Sequence, residues 1–307
     1  QNELSKTQEQ LSTGKQIVKP SDAPDKAALV TRLESELARQ TGYQNTLKAV
    51  NVRLTAEETA LKNTSDVMYR IKELTVQAAN ATLSSQDRQS ITLEINTLKD
   101  QILSLANSQD SNGNYLFSGS KTGQPAFSKD ATGRVMYQGD QARMKVNVGD
   151  SRRMNLNMPG SDAYVRVIRD DGKGSQTGVD FFQALDDLVT AVKNSDYSNI
   201  QRGIDELDGM QQNISDATAQ VGSNMNVVDS QNAVLDEVKL RLQSTLSDIQ
   251  DLDYTAAITK MNKDQLALQA ATRRLLDHGR PLRVLVLAEH FLRQLAEREG
   301  TRRTLTP

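Results

Sequence analysis

The chain contains no cysteine among its 307 residues, which excludes a disulfide framework and any thiolate metal site. A chain without thiols also suits a secreted protein that meets oxidising and reducing spaces alike. Tryptophan is absent too, and aromatic residues make up only 4% of the sequence against 37% hydrophobic residues. That is lean for a large globular core, and an elongated helical architecture fits better. No stretch approaches the roughly eighteen apolar residues of a membrane helix, and no basic then apolar leader opens the chain. The first residue is Gln1, so a trimmed start is expected. Charge of one sign is also missing: 37 Lys and Arg stand against 39 Asp and Glu. No global field would draw the chain to nucleic acid or to an anionic membrane surface, so the expected partners are proteins.

What the chain has instead is a seam. Leu207, Ile214, Val221, Val228, Leu235, Leu242 and Ile249 fall at every seventh position, and all are aliphatic. Met210, Ala217, Val238 and Leu252 run three residues behind them. This heptad pattern predicts a helix of about 75 Å with one apolar side, which needs a partner of similar length. The partner is found upstream, where Leu47, Leu54, Leu61 and Met68 repeat the same spacing, with Val50, Ile71 and Leu74 close by.

From Asp25 to Asn112 there is one glycine, Gly42, and no proline, whereas ten of the seventeen glycines lie between Gly113 and Gly178. Eight of the twelve aromatic residues fall between Tyr115 and Tyr197. The division predicts a mostly α protein with a β insert: a long coiled-coil bundle built from the two ends, and a small β-rich central domain. In order, residues 1–12 read as a helix end stopped by Gly14, and Lys19 to Pro24 as a loop with two fixed φ angles. A helix is expected from about Asp25 to Ala81, and a third is expected to be capped by Ser84 or Ser85, carrying Ile91, Ile95, Leu98, Ile102 and Leu105. Asp110 to Asn114 reads as an Asn-Gly turn, and Asp170 to Gly174 as another. Strands are expected around Tyr115 and Phe117, Tyr137, Val146 and Val148, Leu156 and Met158, and Tyr164 to Ile168. Phe181, Leu185, Leu188, Val189 and Val192 form a short amphipathic helix that caps a small sheet. The long carboxy-terminal helix begins after Asn194 to Asn199. Leu47 to Met68 and Leu207 to Ile249 are expected to share one bundle with the third helix.

No catalytic, metal or cofactor constellation is legible. His278 and His290 are twelve apart, and Glu289-His290 lacks the second histidine of a zinc helix. Asp110 to Asn114 lacks the carboxylate that closes a calcium loop, and Gly172-Lys173-Gly174 fits no phosphate loop. The adjacent acids Glu57-Glu58 and Asp186-Asp187 point about 100° apart on a helix and are expected on solvated faces. Asn63, Asn80 and Asn213 begin Asn-x-Ser/Thr triplets.

Three segments carry a resemblance. Leu11-Ser12-Thr13-Gly14-Lys15 is followed by Pro20-Ser21-Asp22-Ala23-Pro24; Leu105-Ala106-Asn107 leads through Gly113-Asn114-Tyr115-Leu116-Phe117-Ser118-Gly119 to Tyr137-Gln138-Gly139-Asp140; and Leu266-Ala267-Leu268-Gln269-Ala270-Ala271 lies near the end. In this order they resemble the flagellin-like family of flagellar axial proteins, over residues 1–271. Filament flagellins of that family usually carry Ala-Ala-Asp-Asp where this chain has Pro-Ser-Asp-Ala-Pro, which favours the hook-filament junction subunits. The alternatives are a filament flagellin or a secreted coiled-coil effector.

The resemblance implies a non-enzymatic structural subunit of the extracellular flagellum, exported by the flagellar type III system with a chaperone on its carboxy-terminal helix. Its implied partners are neighbouring axial proteins, among them hook-associated protein 1 and flagellin, with no nucleic acid, membrane or cofactor. Leu11, Ser12, Thr13, Gly14, Lys15, Pro20, Ser21, Asp22 and Pro24 would form an inter-subunit loop. The implied division is 1–12 as a remnant of the inner-core helix and 13–135 as the first part of the rod domain with its hairpin. The central β-rich variable domain follows at 136–195, the rod's carboxy-terminal helix at 196–250 and an inner-core segment at 251–271. The family normally ends soon after this last segment. Residues 272–307 instead hold eight arginines, no lysine, four acids and both histidines, which reads as a frame-shifted or fused tail; the rival is a genuine basic helix over Leu282 to Leu295. With both inner-core halves incomplete, the chain as given is expected to be monomeric.

Overall fold

The computed structural model describes residues 2–170 and 176–274. The predicted turn at Asp170 to Gly174 therefore falls mostly outside the described residues. His278, His290 and the possible helix Leu282 to Leu295 lie outside them entirely. Helices dominate, as the near absence of glycine and proline from the flanking segments requires. Helix α1 spans Asn2–Thr13, α2 Pro24–Ala78, α3 Ser85–Ala106, α4 Gly160–Ala163, α5 Phe181–Lys193 and α6 Tyr197–Gln250, and a further helix, α7, covers 254–274. Pro24 opens α2 at the one helical position where a missing N–H costs nothing. Ser84 caps α3: its hydroxyl accepts the Asp87 N–H at 3.1 Å while the Asp87 carboxylate accepts the Ser84 N–H at 3.2 Å.

The chain divides into two compact units, residues 38–239 and residues 1–37 with the chain from 240 onward. In the first, α2 and α6 are antiparallel: Gln44 pairs with Asp236, Ser65 with Gln211, and Lys72 with Asp208, so numbers rise along one helix as they fall along the other. The apolar lines of both helices feed a single hydrophobic cluster, which also takes Ile91, Ile95 and Ile102 of α3. Helix α5 lies along α3, with Lys99 paired to Asp186. Burial of one stripe per helix, rather than intrinsic propensity, stabilises elements of this length.

The β insert differs from the single sheet expected from sequence. Among its described residues are three separate antiparallel pairs: β1 (Phe127–Lys129) with β2 (Val135–Tyr137), β3 (Lys145–Asn147) with β4 (Arg153–Asn155), and β5 (Val167–Asp170) with β6 (Gln176–Val179). Tyr115 and Phe117 are not in a strand, Tyr164 follows the one-turn α4, and Leu156 and Met158 lie beyond β4. The alternation there has another cause. Phe117, Phe127, Tyr164, Phe181 and Phe182 pack edge to face with centroids 5.3–5.8 Å apart, Tyr137 leaning on Phe127 at 5.1 Å. This aromatic knot replaces sheet stacking as the insert's core.

In the second unit, the loop after α1 runs beside the chain after α6. Lys15 and Asp251 form an isolated antiparallel bridge, with the Gln16 N–H on the Gln250 carbonyl at 2.7 Å and the Leu252 N–H on the Gly14 carbonyl at 3.0 Å.

Candidate functional site

With no catalytic constellation legible in the sequence, the functional candidates are surfaces and the joints that position them. The expected seam is buried at Leu47, Leu54, Leu61 and Met68 on α2 and at Leu207, Ile214, Val221, Val228 and Leu235 on α6. Leu242 and Ile249, in the other unit, are half-buried.

Within the loop singled out from sequence, Ser12, Thr13, Lys15, Pro20, Ser21 and Pro24 are exposed, and Leu11, Gly14 and Asp22 half-buried. Its shape is set by Asp22. One carboxylate oxygen takes the Lys6 ammonium at 2.9 Å, and the other accepts the N–H groups of Lys19 at 2.9 Å and Val18 at 3.3 Å. The Lys6 hydrogen bond first, then that backbone donor, hold this carboxyl below its ordinary range. Lys19 reaches back to Glu9 at 2.9 Å, and Lys260 of α7 binds Glu3 of α1 at 3.0 Å. Gly14 sits at φ 68°, and a Cβ there would stand 2.8 Å from the Tyr254 hydroxyl. The loop is thus a ready-made, polar and mostly exposed surface held by specific contacts.

A second joint fixes the insert to α2 and was misread from sequence. Glu57, expected on a solvated face, is fully buried. Counting from Leu54 and Leu61 it occupies the inward position three residues behind the main line, where Val50 and Ile71 also lie, and Arg53 one turn earlier supplies its partner. Arg53 Nε donates to Glu57 Oε1 at 3.2 Å, Nη2 donates to the Leu116 carbonyl at 2.7 Å, and Nη1 lies 3.6 Å from Asp110 Oδ2. The Met158 N–H also points to Glu57 Oε1, at 3.4 Å. Burial pushes the Glu57 carboxyl up to about 7, against the opposing pull of Arg53. Thr64, again on that inward line, shares a hydrogen bond of 3.1 Å with the Tyr164 hydroxyl.

A third joint uses Gln231 on α6. Its amide nitrogen donates to the Val148 carbonyl at 3.1 Å, and its oxygen accepts from Arg152 Nη1 at 3.1 Å. Asp150, at the tip of the same hairpin, accepts from the Tyr43 hydroxyl at 3.2 Å and pairs with Arg39 Nε at 3.1 Å. The β3–β4 hairpin therefore straps across α2 and α6. Arg169 similarly ties β5 to α6 and α5 through Glu206 at 2.6 Å and Asp187 at 2.6 Å. Asp186 and Asp187 are thus both ion-paired and half-buried rather than simply solvated.

The sequence segments that carried the resemblance are joints as well. Asn107 pairs with Phe127 as a strand residue would, donating to its carbonyl at 2.8 Å and accepting its N–H at 2.9 Å. Asp140 accepts the Ser120 N–H at 2.8 Å and hydroxyl at 2.5 Å, and the Ala142 N–H at 3.0 Å. Gly119, at φ 70°, leaves no room for a Cβ beside Asp140. The Asp110 turn closes on itself, its carboxylate accepting the N–H groups of Asn112 at 2.8 Å and Asn114 at 3.0 Å. Asn63 and Asn213 lie within α2 and α6, and Asn80 in the turn between α2 and α3. Among the described residues no group of three potential ligands could hold a metal ion, and no helix is long and apolar enough to cross a membrane.

The two helical ends and the fold recur in known proteins. A family model for the bacterial flagellin N-terminal helical region matches residues 1–122, and one for the bacterial flagellin C-terminal helical region matches residues 204–276. Flagellar hook-associated protein 3 of Escherichia coli K12 is 30% identical over 90% of both chains, and that of Salmonella typhimurium LT2 27% identical over 90% of both. In fold, the chain is similar to a flagellar hook-associated protein from Vibrio parahaemolyticus, with a TM-score of 0.67 at 24% identity, covering 75% of this chain and 100% of that one. Filament proteins among the relatives match a shorter stretch or at lower identity.

Proposed function

The chain belongs to the family of flagellar hook-associated protein 3, and from that premise we propose that it is the structural adaptor that joins the flagellar hook to the filament. The observation that carries this reading is the similarity to the Escherichia coli hook-associated protein, 30% identical over 90% of both chains with the insert included, whereas a Treponema pallidum flagellin that matches 88% of this chain is 25% identical. Shared helical ends alone would fit a filament flagellin equally well.

The adaptor works through surfaces. The paired seams of α2 and α6 supply length and stiffness, and the joints at Glu57, Thr64 and Gln231 hold the insert on those helices. The loop from Leu11 to Pro24 is the surface offered to neighbouring axial subunits, with hook-associated protein 1 and flagellin as the neighbours. Its polar, charge-paired character suits a contact that must form after the subunit arrives, since such groups remain hydrated until a partner covers them. We place the chain outside the cell, reached through the flagellar type III channel with an export chaperone on the carboxy-terminal helix. A cysteine-free chain whose described strands pair in short local hairpins refolds without disulfide chemistry and with little long-range strand pairing.

An adaptor should bind a growing structure without propagating it. Purified chain mixed with fragmented flagellin filaments under polymerising conditions should add no length. Fibres that elongate by incorporating this chain would favour a filament subunit instead.

A further inference from the structure

Arg53 faces two carboxylates with one positive charge. Asp110 is the better counter-ion: it is partly exposed and already accepts two backbone N–H groups, which outweigh its own burial and hold it below the ordinary carboxylate range. Glu57 is the worse one. It is fully buried, its Oε1 is shared between Arg53 and the Met158 N–H, and its Oε2 is buried with no hydrogen-bond partner. A buried carboxylate oxygen without a partner is most costly when charged, and a proton on it lowers that cost by removing the charge. The two stretches gathered around this carboxyl are the entry to the insert at Tyr115 and Leu116, whose carbonyls accept from Arg53 at 3.4 and 2.7 Å, and the segment at Met158. These stretches are far apart in sequence and meet on one turn of α2.

We propose that Glu57 is a proton-operated latch for the root of the β insert: protonated, it locks both stretches onto α2, and ionised, it draws water to its unpartnered oxygen and loosens them. The charged groups that face it are Arg53 on its own helix and Asp110 on the turn; the segment 157–160 contributes a backbone N–H and no titratable side chain. Glu57 and the exposed loop assigned to assembly belong to different compact units, and the latch does not depend on the adaptor reading.

Amide hydrogen exchange on the full chain tests it, with rates divided by the intrinsic rate at each pH. The amides of Leu116 and Met158 should lose about tenfold protection between pH 5.5 and pH 8, while those of Leu185 and Leu188, inside α5, change little. In Glu57→Gln, which keeps the shape without the charge, the tenfold difference should disappear. An unchanged chain whose protection is the same at both pH values, or a Gln variant that keeps the pH dependence, would overturn the proposal. A carbon NMR titration of Glu57 in the unsubstituted chain needs no variant to fold: a midpoint near neutrality supports the latch, and one below pH 5 overturns it.

Discussion

The backbone N–H of Gln16 donates to the carbonyl of Gln250 across 2.7 Å, so a loop near the start of the chain is hydrogen-bonded to the exit of its longest carboxy-terminal helix. The closure turns on Gly14, whose positive φ and missing Cβ admit the Tyr254 hydroxyl. Gly14→Ala should destabilise this joint by about 1–2 kcal/mol, from the left-handed backbone alone, and the steric clash adds to it. Hydrogen exchange at Gln16 and Leu252 should accelerate while the α2–α6 seam keeps its protection. Adding Tyr254→Phe should recover only the steric part.

Removing the charge at the insert's root should cost more. Arg53→Met leaves Glu57 buried without its cation and the Leu116 carbonyl without its donor, a loss of about 3–5 kcal/mol in urea unfolding. Glu57→Gln should be milder. Between the unfolded carboxyl value of 4.5 and the folded one of about 7, the native state of the unsubstituted chain binds the extra proton, so its stability falls as pH rises through that window and then levels off. The Gln variant should lack that slope.

The hairpin strap has its own signature. Gln231→Leu removes both the donor to Val148 and the acceptor for Arg152, which should cost about 1–3 kcal/mol. Exchange over 145–155 should rise, and the edge-to-face contacts around Phe181 should remain visible as unchanged ring-current shifts.

Asp140 sets an acid limit. Its carboxyl is held below the ordinary range, first by the Ser120 hydroxyl and then by backbone N–H groups. A depressed folded value contributes stability that is present above the unfolded value near 3.8 and is lost as pH falls through the folded one. Asp140→Asn should therefore weaken the chain at neutral pH and flatten its acid-unfolding limb, read by circular dichroism between pH 6 and pH 2.

Much of the architecture was legible because heptads state both the length of a helix and the need for a partner. Leu47 to Met68 and Leu207 to Leu235 sit inside where that spacing puts them. Glu57 departs from its expected solvated face because it lies on the softer line three residues behind the main one, as do Thr64 and Gln231, where polar residues interrupt the apolar run. They face inward and bind the insert, so a polar break in a seam marked a docking point rather than a solvated face. The aromatic knot was missed for a related reason: its rings come from Phe117, Phe127, Tyr164, Phe181 and Phe182, spread over segments with no common period. Period-two alternation near Tyr115 reflected rings turning into that knot, not a strand.

The central claim, that this chain joins hook to filament, is tested most directly by deleting its gene in its motile bacterial host and examining the cells by electron microscopy. The account predicts hooks without filaments and flagellin accumulating in the medium, both restored by the intact gene. Cells that keep filaments of normal attachment, merely shorter, would contradict it.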